Sequence, residues 1–213
     1  MGRTLLKMLP VGHYAVADRD DPIRFYQYPI IGRAYRRRVE LCLAELRDGN
    51  RILEVGFGSG SAFLNLNEKY GEIHGLDLKA NVDAVSEVFK KIGIQVFLKN
   101  GNVLSMPYAD NYFDSILLIS ILEHLHPESQ EEAFREITRV LKKGGQVVYG
   151  VPVERPLMYL LFRLFGLDIR KQHFSNEKEI VMHAERFLKK IRISKMKLGP
   201  LGSIYEVGHF IKN

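Results

Sequence analysis

The chain has 213 residues, 31 Lys and Arg against 25 Asp and Glu for a net charge of +6, a hydrophobic content of 46% and a single cysteine. Length and apolar content predict one enzyme-sized domain, 1–213, and Cys42 alone excludes an internal disulfide. A mean hydropathy of -0.11, apolar stretches shorter than the ~20 residues of a spanning helix, and an N-terminus without a signal-peptide core or myristoylation motif predict a cytoplasmic protein with no transmembrane segment.

Residues 1–29 are aromatic but irregular, with His13, Tyr14, Phe25, Tyr26 and Tyr28 set among aspartates and prolines. Such a segment suits a lid over a ligand crevice or an arm packed outside a sheet, and spacing does not choose between them. Residues 30–47 show helical periodicity. Ile31, Ala34, Tyr35, Val39, Cys42, Leu43 and Leu46 make an apolar stripe. Arg33, Arg36, Arg37 and Arg38 fall mostly on the other side and read as a solvated face. After the stop at Asp48-Gly49-Asn50, residues 51–55 read as a short buried strand. It ends on Glu54-Val55 and opens into three alternating glycines, Gly56, Gly58 and Gly60, before a helix over 61–66.

A strand, a glycine turn and a helix hold nucleotide-like ligands beyond the carboxyl ends of the strands in open α/β sheets. The spacing departs from the dinucleotide fingerprint, because the third glycine comes one residue early and Ser61 takes its place. Glu54 at the strand end suits a positively charged ligand and repels a pyrophosphate. The next strand, over 72–78, ends at Asp77, 21 residues after Gly56. An acid there accepts from both hydroxyls of a ribose, and Leu78 beyond it offers an apolar face to adenine.

Strands and helices keep alternating. A helix carrying Val82, Val85, Val88, Phe89 and Ile92 ends at Gly93, and a strand follows over 94–98. The most apolar strand lies over 113–120 and reads as a central parallel strand. A helix over 127–143 starts at Pro127 and ends with Lys142 and Lys143 before Gly144-Gly145. A fifth strand covers 146–153. This succession predicts a doubly wound, mostly parallel α/β sheet.

Residues 50–153 resemble the class I S-adenosylmethionine-dependent methyltransferases of the type 11 group. The match runs through LEVGFGSG, GLDL, GNVLSMPYADNYFDSILLISILEHL and EITRVLKKGGQVVYGVP. The resemblance implies a Rossmann-like seven-stranded sheet with one antiparallel strand in a C-terminal hairpin, here over 192–197 and 204–211. It implies S-adenosyl-L-methionine as cofactor, with S-adenosyl-L-homocysteine as product. It also divides the domain into an arm and helix (1–48), a cofactor core (49–153), a substrate-side insertion (154–175), and a helix with closing hairpin (176–213).

The cofactor-binding residues implied are Glu54, Gly56, Gly58, Gly60, Asp77, Leu78, Asn102, Val103 and Ser120. The group commonly has aspartate where Asn102 stands, and the amide oxygen can still accept from an adenine amino group. Catalytic candidates are His124, with Glu123 and His126 beside it after the fourth strand, and His173; methyl transfer also proceeds in this group by proximity alone. His74, His183 and His209 read as surface or strand histidines. No metal-type Cys/His cluster is present.

The acceptor expected is a small or lipid-like molecule. Residues 156–166, apolar nearly all round, are expected to line its pocket or touch a membrane or partner. The alternatives are an RNA or protein methyltransferase, a non-catalytic cofactor-binding subunit, and, from the glycine spacing, a nicotinamide oxidoreductase. No basic run interleaved with aromatics favours nucleic acid. Oligomeric state is not legible.

Overall fold

A computed structural model describes residues 4–15, 21–29, 31–153, 174–199 and 202–213. The apolar stretch 156–166 and His173 lie outside them. Its helices are α1 (Ile31–Glu45), α2 (Phe63–Leu66), α3 (Val82–Lys90), α4 (Pro127–Val140) and α5 (Glu177–Phe187). Its strands are β1 (Gly49–Val55), β2 (Tyr70–Asp77), β3 (Val96–Asn100), β4 (Phe113–Ile119), β5 (Leu141–Pro152), β6 (Lys189–Lys197) and β7 (Ser203–Ile211).

All seven strands join one sheet in the order β3-β2-β1-β4-β5-β7-β6. Strands β1 to β5 pair in parallel, and β7 runs antiparallel to both β5 and β6. The chain moves outward from β1 to β3 and then returns to place β4 on the other side of β1. The two directions of winding therefore part between β1 and β4, where open α/β sheets leave a crevice at the carboxyl ends of their strands.

Alternation along each strand divides the core between the two faces. Ile52, Leu117, Val148, Tyr205 and Val207 pack with Cys42 and Leu43 of α1, Phe63 of α2, and Val85 and Phe89 of α3. Leu53, Val55, Ile116, Leu118, Val147 and Tyr149 pack on the opposite face with Phe134 and Ile137 of α4 and Ile180 and Ala184 of α5. Cys42 lies fully inside this core, and burial pushes its thiol pKa up, as expected of an inert thiol.

Several boundaries differ from the expectation: the third strand, expected over 94–98, is Val96–Asn100, and the hairpin strand expected over 192–197 already starts at Lys189. The helix predicted over 127–143 ends at Val140, so Lys142 and Lys143 belong to β5. Leu141 is already extended and pairs with Phe113, and the register then shifts before Ser115 meets Gln146. Pairing against a central strand outweighs one more helical turn here, and Lys142 is held by Asp114 at 2.6 Å. The helix expected over 61–66 is reduced to the single turn α2, since three positive-φ glycines occupy its approach. The helix beginning after Asn176 has the capping box its spacing suggests: Asn176 accepts from the Glu179 N–H, and the Glu179 side chain accepts from the Asn176 N–H.

Candidate functional site

The carboxyl ends of β1, β2 and β4 converge on one crevice. Gly56, Gly58 and Gly60 have φ of 72°, 52° and 76°, in the left-handed region open to glycine. A Cβ on Gly56 would lie 2.0 Å from Ile121 Cδ1, so the turn after β1 and the turn after β4 touch with no room for a side chain. At Gly58 only the Asp21 carboxylate comes near, 3.6 Å from the position a Cβ would take.

Period-two alternation places Glu54 on the α1 face, with Ile52. Its side chain is buried, and among the described residues Oε2 has no hydrogen-bond partner. Burial, and then the nearby Asp77 charge, raise its pKa to about 8. Asp77 closes β2 across the glycine turn. One of its oxygens accepts from the Gly58 N–H at 2.9 Å; the other accepts from Lys79 and Ala80 N–H at 2.8 and 2.9 Å. The helix that follows is capped by Asn81, which accepts from Ala84 N–H. Asp77 therefore ties two loops together rather than capping α3.

The N-terminal segment covers this turn. Asp21 is buried, accepts from Ile23 N–H at 2.9 Å, and lies 3.5 Å from the Ser59 hydroxyl. The short 3-10 helix it starts, Pro22–Gln27, is fastened to α1 by Arg36, whose guanidinium donates twice to the Tyr26 carbonyl at 3.2 and 3.3 Å. Buried Tyr26 bonds to Ser61 and lies in the fields of Arg38, Glu54 and Asp21. Of the two roles open to residues 1–29, residues 21–28 take the position of a cover.

The arginine cluster on α1 is not uniformly a solvated face. Arg33 is exposed, Arg37 pairs with Glu40 at 3.3 Å and Arg36 holds Tyr26. Arg38 instead turns toward the sheet. Its guanidinium lies 4.0 Å from the Tyr35 ring centroid and 5.5 Å from that of Tyr205, and one nitrogen donates to Ser120 Oγ at 3.3 Å. Arg38 stands three residues after Tyr35 and four before Cys42, at the border of the stripe that faces the core, and not on the solvated face expected of it.

Ser120 is the sequence-derived candidate with the most unusual backbone. It has φ of 56°, one of two positive-φ non-glycine residues among those described. Strict alternation along β4 would send it to the α4 face. The left-handed conformation instead brings its hydroxyl to Tyr205 Oη at 3.0 Å and to Arg38, while its N–H is held by Gly150 O at 2.7 Å.

The other candidates distribute as follows. Leu78 is 65% exposed beside Asp77, an apolar face without cover among the described residues. Val103 is buried and Asn102 exposed; the Asn102 amide oxygen already accepts from Leu104 N–H at 3.0 Å, which leaves one lone pair. The loop after them is pinned by Arg139, which donates to Met106 O and Tyr108 O at 3.0 and 2.8 Å. His124 is exposed on the turn Leu122–His124, as is His126, which stacks on Phe174 at 3.9 Å. The residue of this trio directed inward is Glu123, buried and acting on both Arg38 and Tyr205. Phe174 and Ser175 N–H groups bond to the Glu123 carbonyl, so the segment entering α5 is fixed onto this turn. His74 and His209 are buried strand residues, not surface ones.

Comparison with known proteins agrees with the geometry. Residues 53–149 match the family model described as a methyltransferase domain. Demethylmenaquinone methyltransferase of Bacillus cytotoxicus is 31% identical over 121 residues, covering 53% of this chain and 48% of that protein; the chain thus spans about half the length of such curated relatives. The N-methyltransferase NodS of Bradyrhizobium japonicum, solved with S-adenosyl-L-homocysteine, superposes with a TM-score of 0.68 at 16% identity, covering 92% of this chain and 94% of that one. Geranyl diphosphate C-methyltransferase of Streptomyces coelicolor superposes with a TM-score of 0.70 at 14% identity, covering 94% and 91%. Such distant structures speak for the fold, and the domain match and the closer relatives supply the family. The site fits that family's cofactor: a buried carboxylate oxygen lacking a partner suits an ammonium, and a turn open at Gly58 allows close backbone approach. Residues 53–149 carry the methyltransferase domain, and together with the seven-stranded sheet that match supports a class I S-adenosylmethionine-dependent methyltransferase.

Proposed function

We propose that this protein methylates a small-molecule or lipid-like acceptor in the crevice between β1 and β4. The observation that carries the reading is the buried Glu54, whose Oε2 has no partner among the described residues, beside a positive-φ glycine turn. When bound, S-adenosylmethionine supplies a methyl carbon already activated by a sulfonium. Glu54 meets the ammonium of its amino-acid end. Asp77 keeps lone pairs for the ribose hydroxyls while its N–H bonds hold the carboxylate in place. Leu78 lies against the adenine ring, with Asn102 and the Val103 N–H at its polar edge.

The chain's remaining task is orientation and exclusion of water. Residues 21–28 serve the second purpose by covering the glycine turn. The first falls to the turn after β4, where Ser120 is locked by its backbone bond to Gly150. His124 stays on the exposed side of that turn, so methyl transfer proceeds by proximity without it. Small-molecule acceptors are supported by what the relatives are named for, demethylmenaquinone and geranyl diphosphate among them. Among the described residues no helix is long and apolar enough to cross a membrane, and no cluster of three or more acids, histidines or cysteines is built for a metal.

Two measurements test the proposal. Incubation with S-adenosylmethionine and fractionated small-molecule extract should release S-adenosylhomocysteine; release seen only with RNA or protein fractions overturns the acceptor class. In calorimetry, Asp77→Ala should weaken S-adenosylhomocysteine binding about tenfold or more, because buried ligand hydroxyls lose a charged partner. Unchanged affinity removes Asp77 from the ribose.

A further inference from the structure

The crevice opens at one end of the sheet, and two tips project beyond that end. The first is the start of α1. Arg38 touches Ser120 directly after β4, while Arg47, just past the other end of the helix, touches Gln146 near the start of β5. The helix therefore runs along the sheet, and the rise of an α-helix carries Ile31 about 10 Å beyond Arg38. The second tip is the loop between β6 and β7. Tyr205 pairs with Pro152 at the end of β5 and reaches Ser120 with its hydroxyl, so β7 begins at the crevice end. The loop before it is closed by the Leu198 N–H, which donates to Gly202 O at 2.8 Å. Nothing among the described residues lies within 4 Å of a Cβ placed on Gly199 or Gly202, so this loop stands clear of its neighbours.

Both tips hold apolar side chains in water. Ile31 and Leu198 are each about half exposed, as is Tyr28, whose carbonyl accepts from the Gly32 N–H at the start of α1. One scattered apolar residue needs no explanation; a set confined to the projecting points of one end does. Cations stand beside them. Exposed Arg33 follows Ile31 on α1, and exposed Lys197 precedes Leu198, with Lys195 next along β6 and paired to Glu206. Protection of an edge strand accounts for lysines along β6, but not for the leucine at its tip or for the matching arrangement on α1. The acids of this end lie on the other face of the sheet, where α4 begins with Glu128 and α5 with Glu177 and Glu179. Charge thus divides the rim, and α1 with the hairpin forms its basic part.

Aliphatic points set among cations fit a surface that is anionic outside and apolar beneath. We propose that this rim docks on an anionic lipid bilayer, with Ile31 and Leu198 entering the headgroup boundary and Arg33 and Lys197 meeting lipid phosphates. The proposal rests on the lipid-like half of the acceptor class given above, and it supplies that acceptor with a route. Both tips flank the turn at Ser120, so a membrane-dissolved molecule reaches the crevice without crossing water. A single-stranded nucleic acid would instead call for a row of aromatic rings along the cations, and the leading side chains here are isoleucine and leucine.

The test uses sedimentable vesicles of phosphatidylcholine alone and of phosphatidylcholine with an equal part of phosphatidylglycerol. Wild type should sediment with the second and not with the first. Arg33→Glu combined with Lys197→Glu should weaken that binding about tenfold or more, and so should Ile31→Asp combined with Leu198→Asp. Lys90→Glu combined with Lys91→Glu, at the exposed end of α3 away from the crevice, changes net charge equally and should leave binding intact. Thermal melting and calorimetry with S-adenosylhomocysteine accompany every variant, so that a lost fold is not read as lost docking. Equal sedimentation with both vesicles overturns the proposal, as does a folded rim variant that binds like wild type or an α3 variant that falls in parallel. Tighter binding of single-stranded polyuridylate, lost in the same rim variants, would make the rim a nucleic-acid surface and overturns it too. Absent vesicle binding with S-adenosylhomocysteine still bound removes the docking alone, whereas failure to bind S-adenosylhomocysteine removes the cofactor assignment.

Discussion

Glu54 concentrates the physics of the site in one residue. Its pKa, raised to about 8 by burial and by Asp77, lies above the ordinary carboxylate value, so the folded, unliganded protein holds a proton that the unfolded chain has released. Stability contributed through this group is present below the ordinary value and is lost as pH rises toward 8. Glu54→Gln removes that dependence. Thermal melts of the unliganded variant should exceed wild type above pH 8 and approach it in acid; equal melting across the range would show that Glu54 is ionised without cost. Ligand binding carries the opposite demand, because an ammonium favours the ionised form. Wild-type binding of S-adenosylhomocysteine near neutral pH should release a proton, visible as a heat that varies with the ionisation enthalpy of the buffer. A buffer-independent heat would place the cation elsewhere. The acid itself was legible in sequence from its place before the glycines; the orphaned oxygen and raised pKa were not, because both depend on burial in the folded sheet and on Asp77 across the turn.

At the level of elements, the turn between β1 and α2 and the turn after β4 act as one unit. Gly56 shows this best, with φ of 72° and Ile121 2.0 Å from where a Cβ would sit. Gly93 provides the comparison: its φ is 77°, yet nothing lies within 4 Å of its Cβ position. Gly93→Ala should therefore cost only the left-handed penalty of about 1–2 kcal/mol and leave cofactor affinity intact. Gly56→Ala adds the collision, and it should lower the melting temperature further and weaken S-adenosylhomocysteine binding about tenfold or more. Equal effects of the two in denaturant unfolding and calorimetry would show that the turns are independent. Glycine spacing revealed the first turn, but the neighbour of Gly56 across the crevice is Ile121, 65 residues further on, where no local pattern points back. Helix ends were legible where a side chain caps them, as at Asn176 and Asn81, and misread at Val140, where strand pairing decides the boundary.

On the proposed function, and at the scale of the whole molecule, the ligand sits where the strand order reverses, among β1, β2, β4, α1 and residues 21–28. A ligand bridging so many elements stabilises the native state by mass action, by about 2.7 kcal/mol at one hundred times its dissociation constant. For a chain of this size that corresponds to roughly 5–10 °C in melting temperature. S-adenosylhomocysteine should produce that shift, Asp77→Ala should lose most of it at the same concentration, and a pyrophosphate-bearing dinucleotide should produce none, being repelled by Asp77. A larger shift with the dinucleotide would contradict the reading of the site.

The alternation of apolar strands with capped helices, the acid before three glycines and the second acid at the end of β2 were decided by the sequence alone. These are local patterns, set by backbone sterics and by period-two and period-3.6 burial, and they suffice for the fold class and the cofactor side of the crevice. Only the tertiary structure decided that Arg38 leaves its apparent solvent face, that Ser120 reverses its side, and that Asp21 and Tyr26 lie over the glycine turn. Each depends on contacts between residues far apart in the chain, Arg38 with Ser120 and Tyr205 above all, and such contacts leave no periodicity in the segment that makes them.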